Sequence, residues 1–238
     1  FQWVLLSTIL LGMASGMFGC LAYWKRQSLM SDALSHAALP GVVLAYLIIQ
    51  EKHFLFIVIG AALTALAGAW MIQWIKSASR ISEDTAMGLI LAVFFGGGIM
   101  LLTMANRSGG NQAGLDQFIF GQAAVMVRED VTLMSILAIL VILTLIIAFK
   151  EWKLLLFDKD FAKGIGLPLK TMNGLYMVIL VLTIVIGIQA VGVVLMSALF
   201  IIPSVSARYW THSFKTMILL SALIGGGSGA LGTTISAL

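Results

Sequence analysis

Apolar residues in this chain follow neither the two-residue alternation of a half-buried strand nor the single stripe of an amphipathic helix. They fill runs about as long as a bilayer's hydrocarbon core is thick, near 20 residues for a helix. Eight such runs are read, at residues 2–23, 30–50, 54–75, 86–104, 131–149, 173–190, 191–209 and 215–236. A helix satisfies its own backbone polar groups in lipid, so runs of this length predict an all-α, polytopic transmembrane helical bundle. A membrane barrel would instead show short alternating strands. Residues 105–130 contain LDQFIFGQAAVMV, apolar but short, and are expected to form a re-entrant or interfacial segment. A full crossing there would invert the orientation of everything that follows.

Charge tests this topology, because Lys and Arg accumulate in cytoplasmic loops. With the first residue outside, Lys25, Arg26, Lys76, Arg80, Lys150, Lys153, Lys159, Lys163, Lys170, Arg208 and Lys215 fall on the cytoplasmic side, eleven of the fourteen basic residues. Only Lys52, Arg107 and Arg128 lie opposite. The bias places both ends of the chain outside the cytoplasm of a multi-pass protein. Composition agrees: 61% of the residues are hydrophobic and 10% charged, more apolar surface than a soluble core can hide. A net charge of +4 without interleaved aromatics offers no nucleic-acid surface. The single cysteine, Cys20, excludes an internal disulfide and a cysteine-based metal cluster. GMFGC, which ends at Cys20, resembles a lipidation site but has no basic leader within this sequence, and it falls inside the first expected span. Glycine clusters at 12–16, 94–100 and 224–232 are read as close-packing faces between spans.

Against this background SLMSDALSHAALPGVVLAYL, residues 28–47, stands out. A carboxylate in hydrocarbon costs about 3 kcal/mol on the gentlest scale, so ionisable groups in a span face a cavity, a partner or a substrate. Asp32 and His36 are four residues apart and share one helix face. Pro40 lacks the N–H that would bond the carbonyl of His36, and Gly41 follows. Together they suggest the discontinuous kind of span that transporters use to bind cargo at membrane depth. Carboxylate oxygen with imidazole nitrogen suits Mn²⁺, Zn²⁺ or Fe²⁺, whereas Na⁺ or K⁺ would not ask for histidine. Two side chains do not complete a shell, and Gln189 is a further candidate on the metal pathway. Spacing alone leaves a second reading equally open, in which Asp32 and His36 bond each other or a neighbouring helix and hold the bundle together.

Between the fifth and sixth spans, FDKDFAKGIGLPLK at 157–170 combines mixed charge, a short helix-forming centre and then Gly and Pro, a pattern for a compact cytoplasmic helix that could dock on a soluble partner; taken alone, these residues favour the other reading, an ordinary solvated loop. SEDTAMG at 82–88 reads as a helix start capped by Ser82 or Asp84.

These residues in this order resemble the manganese, zinc and iron permease subunits of ATP-binding-cassette importers. The likeness runs from SLMSDALSHAALPGVVLA through SEDTAMGLI and FDKDFAKGIGLP to QAVGVVLMSALFIIPSVSAR and covers most of the chain. It implies one permease domain over 1–238, in the plasma membrane of a prokaryote. It implies that Asp32 and His36 bind the transported metal. It further implies that 157–166 is a coupling helix touching a separate ATP-binding subunit, with Asp158, Asp160, Phe161, Ala162 and Gly166 as its coupling residues. Phe161 and Ala162 are expected to be buried in that contact, with Lys159 and Lys163 nearer solvent. Two permease copies would pair around one pathway, supplied by an extracellular metal-binding receptor protein, with no permanently bound cofactor. Ser31 stands where many relatives carry glycine, a small change. The proline after SHAAL is more like the manganese branch, which favours Mn²⁺ over Zn²⁺ or Fe²⁺ as cargo.

Three functions follow. The first is a transport subunit without catalytic chemistry of its own, driven by ATP hydrolysed elsewhere, and the absence of a G-x-x-x-x-G-K-[ST] motif agrees with it. The alternative is a proton-coupled secondary metal carrier using the same pair, which needs no docking helix. A membrane scaffold or receptor with structural polar residues would show no response to metal.

Overall fold

The computed structural model describes residues 2–49, 54–107, 121 and 128–236. Among them there are ten α-helices and no strand: α1 Gln2–Trp24, α2 Met30–Ile49, α3 Phe54–Ala78, α4 Glu83–Arg107, α5 Arg128–Ile147, α6 Phe149–Phe157, α7 Lys159–Gly164, α8 Leu169–Val191, α9 Val193–Trp210 and α10 Phe214–Ser236. All but α6 and α7 are long and apolar enough to cross a membrane, eight in total among the described residues. The re-entrant segment expected at 105–130 lies largely outside the described residues. Gly121, which is described, has φ +84° and runs so close to the Val191–Gly192 backbone that no side chain would fit.

The chain divides into two compact units, Phe1–Ser28 with Ala124–Thr183 and Ala198–Leu238, and Leu29–Ala123 with Ile184–Ser197. In the first unit α1 lies antiparallel against α10. Small residues recur every four positions on both helices and meet in register: a methyl added at Gly12 would overlap the carbonyl oxygen of Gly225, one at Gly16 that of Ser221, and one at Gly229 that of Thr8. The close approach is fastened by Ser221 Oγ donating to the Gly16 carbonyl (2.6 Å) and by the Thr8 and Thr233 hydroxyls, 2.8 Å apart. In lipid, where apolar contact alone gives no drive to associate, this tight packing with interhelical hydrogen bonds is what joins two spans.

At one end of the same unit the chain gathers an aromatic cluster. The ring of Trp24 meets Phe157 edge-on at 4.9 Å, Phe157 meets Phe214 at 5.6 Å, Phe149 stacks on Phe214 at 5.6 Å, and Trp152 meets Tyr176 at 6.0 Å. Lys25 Nζ sits 3.6 Å over the Tyr176 ring and donates to Asn173 Oδ1 at 3.0 Å, and Arg208 lies 5.0 Å over Trp24. Thus the last turn of α1, the short helix α6 and the facing ends of α8, α9 and α10 meet at one level. These are the ends that the alternation of spans and the charge bias assigned to a common side.

α1 ends in a tight reversal. Gln27 N–H bonds the Ala22 carbonyl and Arg26 N–H the Tyr23 carbonyl, with Arg26 at φ +59° in the left-handed position usually given to glycine. α2 then begins the second unit, where it packs on α3 and α4. Its crossing with α3 brings Gly41 against Gly60, too close for a side chain at either, and Gly98 of α4 leaves room for Leu39 and Pro40. α2 is helical without interruption from Met30 to Ile49 although Pro40 lies inside it. The break inferred from Pro40 and Gly41 is therefore absent: the proline removes one hydrogen bond, and Gly41 serves the α3 crossing instead. The Thr64 hydroxyl of α3 lies within reach of the Ala38 carbonyl at 3.4 Å, besides the Ala61 and Gly60 carbonyls of its own helix at 3.2 and 3.3 Å. The discontinuity falls at Gly192 (φ +83°), between α8 and α9, where Gly192 N–H still reaches the Ile188 carbonyl and Met196 N–H the Gly192 carbonyl.

Candidate metal centre

Asp32 and His36 sit in the first two turns of α2, one turn apart, as their spacing requires. Asp32 also lies in the helix's first turn, where backbone N–H groups favour a carboxylate. Its Oδ1 is 3.6 Å from His36 Nε2, with the histidine side chain 20% and the aspartate side chain 39% exposed. That separation is too long for a hydrogen bond. It is close to the distance between two donors on one ion: bonds of about 2.0–2.2 Å at a near-tetrahedral angle put the donor atoms about 3.4 Å apart. The other ring nitrogen, His36 Nδ1, is buried with no hydrogen-bond partner, and the ring edge packs on Phe95 of α4 at 4.8 Å between centroids. The imidazole is held by ring packing and leaves its nitrogens uncommitted.

Ser197, in the first turns of α9 and within the same compact unit, donates to Asp32 Oδ1 at 3.2 Å. Sequence reasoning did not find it. The serine in VVLMSALF gives no sign of what it will meet, because spacing along the chain cannot bring together residues 165 positions apart. Gln189 is buried, and neither of its amide atoms has a hydrogen-bond partner, so it bonds neither Asp32 nor His36. Among the described residues no third His, Cys, Asp or Glu joins the pair. Ser31 is fully buried beside it, which fits a position that accepts only a small residue.

The loop residues have local roles that the sequence carries openly. Asp158 caps α7 by accepting from the Phe161 N–H at 2.9 Å, and Asp160 lies in its first turn. Gly166 (φ +82°) takes the left-handed position at the other end, where its N–H bonds the Lys163 carbonyl and the Leu167 N–H bonds that of Ala162. Phe161 is 56% exposed, and Lys159 and Lys163 are exposed as well. Ala162, expected beside Phe161 as a contact for a partner, is 0% exposed and thus covered by its own chain. Ser82 caps α4 by accepting from the Thr85 N–H at 3.2 Å, as its position suggested.

Comparison with known proteins agrees with this architecture. The chain is 48% identical over 236 residues to the manganese transport system membrane protein MntC of Bacillus subtilis, covering 99% of this chain and 54% of that protein. It is 41% identical over 237 residues to the zinc transport system membrane protein TroC of Treponema pallidum, covering 99% of this chain and 80% of that one. The chain therefore spans little more than half the length of the first relative. Among solved structures it matches PsaBC from Streptococcus pneumoniae in complex with Fab, with a TM-score of 0.84 and 33% identity, covering 99% of this chain and 82% of that one. With eight apolar helices of spanning length it is a multi-pass membrane protein. The family model of the ABC 3 transport family matches residues 1–238, and the chain belongs to that family.

Proposed function

We propose that this chain is the membrane-spanning subunit of an ATP-driven importer that moves a divalent transition metal into the cytoplasm, with Mn²⁺ as the favoured cargo and Zn²⁺ or Fe²⁺ as alternatives. The observation that carries the proposal is the Asp32–His36 pair, a carboxylate and an imidazole inside a span, too far apart to bond each other and spaced as donors to one cation. The relatives' manganese and zinc transport roles support the choice of cargo.

In this reading an extracellular receptor protein delivers the metal, which Asp32 and neutral His36 hold between the spans. ATP-driven closure of a separate cytoplasmic ATP-binding subunit moves α7 and opens the inner side, an alternating-access cycle. A second permease copy, pairing as a homodimer, completes the pathway. The capped helix α7, presenting Phe161 outward, is the part of this chain that meets the ATP-binding subunit. It rests on the aromatic cluster through Phe157, which packs on both Trp24 of α1 and Phe214 of α10.

The test is Mn²⁺ uptake into vesicles carrying the permease with and without its ATP-binding subunit. Uptake that requires both the subunit and ATP supports the proposal. ATP-independent uptake driven by a proton gradient would replace it with the secondary carrier.

A further inference from the structure

Ser197 Oγ stands 3.2 Å from two acceptors, Asp32 Oδ1 on α2 and the Val193 carbonyl one turn back on its own helix. A serine hydroxyl carries one proton and two lone pairs, so it can donate to only one of them at a time. With no cation present, the carboxylate is the better acceptor, because a hydrogen bond to an ionised oxygen is the stronger. A divalent cation on Asp32 reverses this choice. Its charge repels a proton aimed into the site and attracts an oxygen lone pair. The Val193 carbonyl has a second lone pair to receive the displaced proton. Rotation about one bond then turns Ser197 from a donor to Asp32 into an oxygen donor to the metal, with no proton lost.

We infer that Ser197 is a third residue of the metal site, contributed by α9, whose hydroxyl switches from Asp32 to the Val193 carbonyl when the cation binds and places its oxygen in the coordination shell. The inference rests on the reading of Asp32 and His36 as metal ligands and deepens it. It answers a shortage visible in the structure, since among the described residues no other His, Cys, Asp or Glu lies near enough to add to the pair. It also ties the first turns of α9, just past the Gly192 break, to the occupancy of α2. A hard oxygen at this position favours Mn²⁺ over soft cations, so Ser197 would shape selectivity as well as affinity.

The experiment compares the wild-type complex with Ser197→Ala, Ser197→Thr and Ser197→Cys, titrated with Mn²⁺ and with Cd²⁺. Loss of the hydroxyl in Ser197→Ala should weaken Mn²⁺ binding roughly tenfold to a hundredfold, the range seen when a supporting group is taken from a metal site. Ser197→Thr, which keeps the hydroxyl, should restore most of it. Ser197→Cys should lose Mn²⁺ affinity, gain Cd²⁺ affinity and show the ultraviolet thiolate-to-cadmium charge-transfer band. Cys20, the single cysteine of this sequence, is buried, and the wild-type complex titrated with Cd²⁺ is the control from which the band of Ser197→Cys is read as a difference. If wild type binds Mn²⁺ but Ser197→Ala binds it equally well, or Ser197→Cys gives no band, the assignment of Ser197 as a ligand is overturned. If the wild-type complex itself binds no Mn²⁺, the fault lies in the Asp32–His36 reading.

Discussion

Replacing Phe161 and Ala162 separately should produce two different defects, because the structure turns one outward and the other inward. Phe161 is 56% exposed. Of the roughly 200 Å² that a phenylalanine can bury, about 110 Å² is therefore open to a partner. At about 25 cal/mol per Å² a full contact is worth up to about 2.8 kcal/mol. Alanine keeps part of that area, so Phe161→Ala should cost about 2 kcal/mol, about thirtyfold in affinity for the ATP-binding subunit. The fold should be unaffected. Ala162 is fully covered by its own chain, and Ala162→Asp would place a carboxylate without a partner there, at about 1–3 kcal/mol or more of stability. The assay measures four properties of each variant: thermal unfolding in detergent, co-purification with the ATP-binding subunit, Mn²⁺ binding and Mn²⁺ uptake. Phe161→Ala should lose co-purification and uptake at an unchanged melting temperature, with Mn²⁺ still bound. Ala162→Asp should melt earlier. Unchanged docking and uptake in Phe161→Ala would show that α7 is an ordinary solvated connection, and would return the secondary carrier to contention.

Three further outcomes are expected. Gly12→Leu should force α1 away from the Gly225 carbonyl and destabilise the protein by about 1–3 kcal/mol or more, read as a lower melting temperature, whereas the same change at Gly227, with open space around it, should be nearly neutral. Asp158→Ala removes the cap of α7 and should cost about 1 kcal/mol locally, seen as faster amide exchange at Phe161 without global unfolding. Metal affinity should fall as pH is lowered, because the imidazole of His36 must be unprotonated to ligate and protons compete with the cation. A Kd for Mn²⁺ that stays flat from neutral to mildly acidic pH would argue against His36 as a ligand.

Each span was legible because a run of apolar residues long enough to cross lipid has few alternatives to a helix, and the observed eight differ from the expected ones mainly at their ends. The α2 pair was legible for a similar reason: a four-residue spacing on a helix puts Asp32 and His36 together whatever surrounds them. Local signals also carried through. Ser82 caps α4, and the pattern from Asp158 to Gly166 and Pro168 encloses one short helix. Contacts between distant segments were not legible. Ser197 reaches Asp32 only through the path of α9, and Ala162 turns inward only because the chain folds over it. Pro40 misled because helix breaking depends on neighbours: α3 and α4 pack glycines against that stretch, and the helix continues past it. The helix α6 passed unnoticed because its apolar residues abut the fifth span, although Trp152 and Leu155, three positions apart, mark its buried face.

The central claim, that Asp32 and His36 hold a transported divalent metal, is tested most directly by radiolabelled Mn²⁺ uptake in cells expressing Asp32→Asn or His36→Ala, with membrane insertion and pairing with the ATP-binding subunit verified in the same samples. The account predicts that each variant is inserted and paired but takes up no Mn²⁺ above background. Wild-type uptake by both variants would contradict it, and failure of both to accumulate as folded protein would instead make the pair a structural tie within the membrane.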